Sequence, residues 1–329
     1  MENKIFSNNQ YRVGLGCMGM SEFYGSNDDA QNLDTLHKAF ELGYRHFDTA
    51  DMYGKGHNER LIGNFLRDLG SNRKDAYIAT KVGIKRDVNG PGTMALDCTP
   101  EYIISACEQS LERLNIEAID LYYLHRRDPS VPIAETMDAM KQLLSQGKIK
   151  AVGLSEVSVE TLKAANEIVK ITALQSEYSL WSRDIEANIL PTCIDLDVNL
   201  VAYSPIGRGF LSGTITKEQV QNADDLRGKL PRFQAEAFDE NTKLLESIKS
   251  IADVKKCSLA QVALAWLLAQ HPLVRIIPGG RKINHIQENF TSQNIELSKD
   301  EVTYLSEQFN SEKIAGLRYP EPLLKTTNT

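Results

Sequence analysis

Short apolar runs alternate with longer stretches whose apolar residues recur at helical spacing. The candidate strands are residues 12–16 (RVGLG), 45–49 (RHFDT), 76–82 (AYIATKV), 118–125 (AIDLYYLH), 151–155 (AVGLS), 171–177 (ITALQSE), 199–205 (NLVAYSP) and 274–279 (VRIIPG). Stretches between them, such as 101–114 (EYIISACEQSLERL), predict amphipathic helices. Thr99, Pro100 and Glu101 mark one helix start, a cap residue before a first-turn proline. Strands apolar on both faces, each followed by a helix, indicate a parallel sheet covered by helices. Eight such units predict a (β/α)8 TIM barrel rather than a doubly wound sheet. Residues 207–239 are too long for an ordinary loop and read as an insertion after strand seven. The chain reads as one domain, 1–329, with a core of about 13–309 and a C-terminal tail, 310–329, over the barrel mouth.

Gly14, Gly16 and Gly19 have the spacing of a Rossmann phosphate turn. That turn needs a helix directly after it and an acidic residue about 20 positions on. Here turn material follows (SEFYGSNDD), and the later neighbourhood reads TLHKAF. The spacing therefore does not predict a Rossmann domain, although the loop is free to touch a ligand.

Composition narrows the partners. The net charge of −7 argues against nucleic acid or an anionic membrane. The five cysteines are scattered, with no C-x-x-C, so neither a disulfide framework nor a zinc site is expected. Residues 1–12 lack an apolar stretch of the signal-peptide kind. A soluble cytoplasmic protein, monomer or homo-oligomer, is the expectation.

Barrel chemistry belongs at the C-terminal ends of the strands. Asp48, Lys81 and His125 end the second, third and fourth candidate strands, and Tyr53 follows Asp48 by five residues. Each interrupts an apolar run, where a lone buried charge is costly. A phenol has a pKa near 10, so Tyr53 needs a shift of about three units, roughly 4 kcal/mol, to serve as an acid near neutrality. A close, partly desolvated ammonium supplies about that much, and Lys81 is suited to the part. Asp48 would keep Lys81 cationic, and His125 would orient a substrate oxygen. The set is a general acid with its tuning partners. With a hydride donor it would reduce a carbonyl.

The motifs GYRHFDTADMYG (43–54), IATKVG (78–83), LYYLHR (121–126), GKIKAVGLSE (147–156), LVAYSPIGRGFLSG (200–213) and IIPGGRKINHIQEN (276–289) resemble the aldo-keto reductases over about residues 13–319. LPRFQ (230–234) and GLRY (316–319) resemble the bacterial, yeast and plant branch named as pyridoxal, perakine or general aldehyde reductases. The resemblance implies NADPH-dependent reduction of aldehydes and ketones on a barrel, with catalytic Asp48, Tyr53, Lys81 and His125. It implies that Ser155 and Gln175 hold the nicotinamide carboxamide and that Tyr203 stacks on the ring. Gly16, Cys17, Met18 and Asp48 would lie near the nicotinamide. Ser204, Ile206, Gly207, Arg208 and Gly209 would cover the pyrophosphate, and Gly279, Arg281, His285, Glu288 and Asn289 would hold the adenosine end. The family's usual Asn after Ser155 is Glu156 here. Arg281, with Lys282 and His285 nearby, suits a 2′-phosphate, so NADPH is expected over NADH. Tyr24, Trp181, Arg318 and Tyr319 are the candidate pocket walls for a small carbonyl substrate. No metal is expected.

Two other readings use the same residues. His46 and Asp48 form an H-x-D that a metal-dependent barrel hydrolase could use, although such sites need more ligands. A cofactor-binding regulatory subunit with little turnover would share the fold and much of the tetrad.

Overall fold

The computed structural model describes residues 11–22, 27–87, 90, 93–220, 225–324 and 327. Eight parallel strands form one sheet in chain order. They are β1 (Leu15–Gly16), β2 (His46–Asp48), β3 (Tyr77–Val82), β4 (Leu121–Leu124), β5 (Val152–Ser155), β6 (Ile171–Glu177), β7 (Asn199–Tyr203) and β8 (Val274–Ile276). Each lies inside one predicted run. The sheet closes on itself: parallel bridges join Val13 to Ile276 and Gly16 to Gly279. Gly14 N donates to Ile276 O at 2.8 Å and Ile276 N to Arg12 O at 2.9 Å. Gly16 is required at this seam, because a Cβ there would stand 2.8 Å from Ile277 O.

The helices α1 (Asp29–Leu42), α2 (His57–Leu69), α3 (Pro100–Leu114), α4 (Ile133–Ser145), α5 (Val159–Ile168), α6 (Ile189–Asp195), α7 (Ala235–Lys255), α8 (Leu259–Gln270), α9 (Ile283–Thr291) and α10 (Lys299–Gln308) surround the strands. Helix α3 starts where Thr99-Pro100 predicts it. The Thr99 hydroxyl, however, donates to Asp97 Oδ1 at 2.7 Å and makes no cap to the helix. The stretch after β7 holds short helical turns at Gly207–Ser212, Lys217–Val220, Leu226–Lys229 and Pro231–Phe233 before α7 begins. A small antiparallel hairpin, Ile84–Arg86 with Met94–Leu96, follows β3. Its strands are only partly buried, so no clear apolar run announces them.

Side chains alternate between the two faces of a strand, and this assigns the polar ones. On β3, Ile78 and Val82 join the layer between sheet and helices, while Tyr77 and Ala79 join the barrel interior. On β4, Tyr122 and Leu124 face the helices, and Leu121 and Tyr123 face inward. Continuing the alternation toward the C-terminal ends brings Asp48, Lys81, His125, Ser155, Gln175, Glu177 and Tyr203 to the inward face. Gly153 leaves room for them below: a Cβ there would meet the Tyr123 ring at 2.4 Å. The outer layer contains many fully buried Leu, Ile and Phe side chains, each worth about 1.5–3 kcal/mol. That layer stabilises the scaffold on which the inward polar residues stand.

Candidate active site

Lys81 is fully buried and donates to Asp48 Oδ1, to Thr49 O at 2.7 Å and to Tyr53 OH at 3.3 Å. Asp48 Oδ2 accepts from Gln175 Nε2 at 2.8 Å. Tyr53 rides on the turn after β2, its N donating to Ala50 O. The His125 ring meets Tyr53 edge-on, 5.9 Å between centroids. Its Nδ1 is buried and has no partner among the described residues. The sheet thus gathers the four predicted catalytic side chains at one end.

Burial works against both charges of the Lys81–Asp48 pair. It lifts the Asp48 carboxyl. For Lys81, Asp48 and the Tyr53 oxygen outweigh it, and the ammonium is held above its ordinary value. Burial, Lys81 and Arg126 push His125 well below the usual imidazole range, so the ring is neutral at physiological pH. Tyr53 corrects an expectation. Burial raises its phenol above the ordinary value, and the pull of Lys81 does not cancel it. The enclosed site costs the phenolate more than the ammonium returns, so Lys81 does not bring Tyr53 near neutrality here.

The predicted cofactor residues form a band along the same end. Ser155 and Gln175 are buried at the ends of the adjacent strands β5 and β6. Ser155 Oγ accepts from Arg126 Nη1 at 3.0 Å, which leaves its hydroxyl proton free to donate. Tyr203 ends β7, and its hydroxyl lies 3.3 Å from that of Tyr319. The following loop turns through left-handed backbone at Ser204 (φ 49°), Gly207 (54°), Arg208 (55°) and Gly209 (92°). For Ser204 and Arg208 that conformation costs about 1–2 kcal/mol each. Ile206 O anchors the turn, accepting from Gly209 N and Leu211 N. Across the β1–β8 seam, Gly16 and Gly279 pair directly, which sets Cys17 and Met18 beside the start of the Gly279–Asn289 stretch. The Cys17 thiol is buried, and its N donates to Asp48 O. Asn289 is buried and donates to Gly279 O at 3.4 Å. Arg281 and Glu288 are half-buried and His285 is exposed.

The pocket candidates separate. Tyr24 lies outside the described residues. Trp181 is buried in packing, stacked on Phe210 at 4.0 Å and met edge-on by Phe233 at 5.3 Å. Arg318 and Tyr319 dock on the mouth. Arg318 donates to Glu156 Oε2 at 3.0 Å, and Arg208 grips both oxygens of Glu177 at 2.8 Å and donates to Tyr319 OH at 2.6 Å. Glu156 itself has φ 55°, and its Oε1 accepts from Glu177 N at 2.8 Å. Glu156 therefore holds the tail. Asn241 on α7 clasps the tail further back, bonding Ala315 N and Ala315 O at 2.9 Å each.

Sequence reasoning missed Glu177 and Arg126. Glu177 is two residues beyond Gln175 on the same inward face, and Arg126 directly follows His125; both signals were available. The hydrolase reading fares poorly on geometry. His46 sits one inward step deeper than Asp48, and Lys81 occupies the carboxylate that a metal would need. Among the described residues no group of three or more His, Cys, Asp or Glu could hold a metal ion.

A barrel with this strand-end set defines a class of oxidoreductases. The aldo/keto reductase family model matches residues 12–308, and the chain belongs to that family. It is 43% identical over 311 residues to a probable aldo-keto reductase 1 of Glycine max, covering 94% of this chain and 88% of the relative. It is 37% identical over 320 residues to the NADP(+) aldo-keto reductase yakc of Schizosaccharomyces pombe, covering 96% and 94%. A glycerol dehydrogenase from Gluconobacter oxydans superposes with a TM-score of 0.81 at 30% identity, covering 90% of each chain. An aldo/keto reductase from Klebsiella pneumoniae, solved with NADP and acetate, superposes with a TM-score of 0.71 at 26% identity, covering 94% of each. The chain is thus an NADP-dependent oxidoreductase of carbonyl and CH–OH groups. No described helix is long and apolar enough to cross a membrane.

Proposed function

We propose that the chain reduces small aldehydes and ketones with NADPH, in the cytoplasm and as a single domain, with Tyr53 as the general acid. The observation that carries this is Lys81, sealed from solvent and bonded at once to Asp48 and Tyr53. Bound NADPH supplies the hydride that adds to the carbonyl carbon. Tyr53 gives its proton to the oxygen as negative charge develops there. Lys81 stabilises the phenolate left behind, and Asp48 keeps Lys81 charged. Neutral His125 donates a hydrogen bond to the substrate oxygen and orients it.

The residues present fit the cofactor. Ser155 has a free hydroxyl proton for the carboxamide, Gln175 stands beside it, and Tyr203 offers a ring face. The turn over Ser204, Ile206, Gly207, Arg208 and Gly209 would cover the pyrophosphate, its shape held by the bonds from Gly207 N to Ser204 O and from Gly209 N to Ile206 O. Gly279, Arg281, His285, Glu288 and Asn289 would take the adenosine end, with Arg281 on the 2′-phosphate and hence NADPH favoured over NADH. Five unpaired cysteines suit a reducing compartment. The substrate would sit between Tyr53, His125 and the tail residues Arg318 and Tyr319.

The test is purified protein with NADPH and a panel of aldehydes, following the nicotinamide absorbance. Aldehyde-dependent loss of signal, abolished in Tyr53→Phe, is expected. Tight NADPH binding with no turnover on any aldehyde would favour a regulatory subunit instead.

A further inference from the structure

Among the described residues, three cations at the mouth are neutralised by carboxylates, and a fourth beside the reacting groups is not. Lys81 pairs with Asp48, Arg208 with Glu177, and Arg318 with Glu156. The fourth is Arg126, which follows His125 off the end of β4. It has no carboxylate within 4.0 Å among the described residues. Its Nη1 donates to two neutral acceptors, His125 O at 2.6 Å and Ser155 Oγ at 3.0 Å. Glu156 influences it through space, but its two oxygens accept from Glu177 N and Arg318. Tyr53, Tyr203 and Tyr319 stand around the guanidinium.

The free edge of Arg126 is informative. Its Nε and Nη2 donate to no described residue, yet neither is sealed from solvent. That edge carries two parallel N–H groups, the fork that grips a carboxylate with two hydrogen bonds. A half-buried cation without a counter-charge leaves interaction energy unclaimed. An anion entering beside Tyr53 would claim it.

We propose that Arg126 is a substrate-recognition residue and that the enzyme selects carbonyl compounds bearing a carboxylate. The proposal rests on the reductase reading of the same site. The carbonyl lies at Tyr53 and His125, and the carboxylate lies on the Nε–Nη2 edge of Arg126. Ser155 keeps its bond from Nη1, so cofactor and substrate are held by opposite sides of one guanidinium.

The experiment compares kcat/KM, with NADPH, for two matched pairs: succinic semialdehyde against butanal, and 4-carboxybenzaldehyde against 4-methylbenzaldehyde. Two pairs cover two distances from carbonyl to carboxylate. Wild type is expected to prefer the acid of at least one pair by about 10- to 100-fold, mainly through KM. Arg126→Gln is expected to remove most of that preference, cutting the acid far more than the neutral partner. Arg126→Lys keeps the charge but loses the fork, and is expected to keep part of the preference. In wild type, rising salt is expected to shrink the preference, a readout that needs no variant. Reduction of the neutral aldehydes with no preference for either acid overturns this proposal and leaves the reductase reading intact. A preference that survives in Arg126→Gln also overturns it. No NADPH consumption with any of the four sinks both.

Discussion

Two buried ion systems meet at the barrel mouth, and they are built differently. Lys81 and Asp48 sit on β3 and β2, strands paired along their backbones. Their positions are fixed before any charge is considered. Glu156, Glu177, Arg208 and Arg318 instead join the β5 and β7 loops, the end of β6 and the tail, and the Glu156–Arg318 bond spans 162 residues of sequence. Both systems are nearly sealed from solvent. In the first, the scaffold holds the charges and the charges are free to act on Tyr53. In the second, the charges hold the scaffold: they tie the tail's end to the mouth, beyond the clasp of Asn241 on Ala315. A buried ion pair on paired strands is thus available for chemistry, and one between loops serves mainly as a clasp.

The comparison breaks most sharply at Tyr53. Tyr53→Phe should lower kcat by about 10²–10⁴-fold while NADPH still quenches protein fluorescence. A variant with even a tenth of wild-type turnover would remove the phenol from its role. Next is the clasp. Arg318→Met leaves buried Glu156 without its ion-pair partner and should cost about 3–5 kcal/mol in urea or thermal unfolding. Arg318→Met with Glu156→Leu should recover much of that loss, since the stranded charge goes too. A double variant no more stable than the single one would mean the pair is not the clasp. A smaller effect is expected at the far end of the proposed cofactor band. Arg281→Ala should raise the KM for NADPH about tenfold and that for NADH much less, and equal changes would take the 2′-phosphate away from Arg281. The smallest effect is on pH. His125 is held below its usual range and Tyr53 above its own, so neither loses its working form near neutrality. Reduction should show level kcat/KM from about pH 6 to 9. An inflection near 6.5 that disappears in His125→Asn would show that the imidazole titrates after all.

The barrel was legible because its strands are buried on both faces and bounded by clear helix starts. All eight runs gave strands, one (Ile171–Glu177) at full length and the others trimmed where the chain leaves the ladder. Asp48, Lys81 and His125 were legible because a polar, titratable side chain at the end of an apolar run has few structural reasons to be there. The clasp was not legible. Nothing near Glu156 in the chain points to Arg318, and the pairing exists only once the tail folds back. The surroundings of Trp181 were hidden for a related reason. It stands after β6, and the rings packed on it, Phe210 and Phe233, come from the stretch after β7. The balance at Tyr53 was also hidden, because it depends on how completely the site is enclosed.

The seam between β1 and β8 has a consequence for how the protein is made. The two strands that close the barrel are about 260 residues apart, so on the ribosome the N-terminal strand emerges long before its partner exists. Until then both sides of the growing sheet expose unpaired backbone groups, a template for pairing with other chains. Synthesis at about 5–20 residues per second keeps that edge open for tens of seconds at the slower rates. The position of a two-residue strand therefore predicts that soluble yield falls when chaperones are limiting during expression.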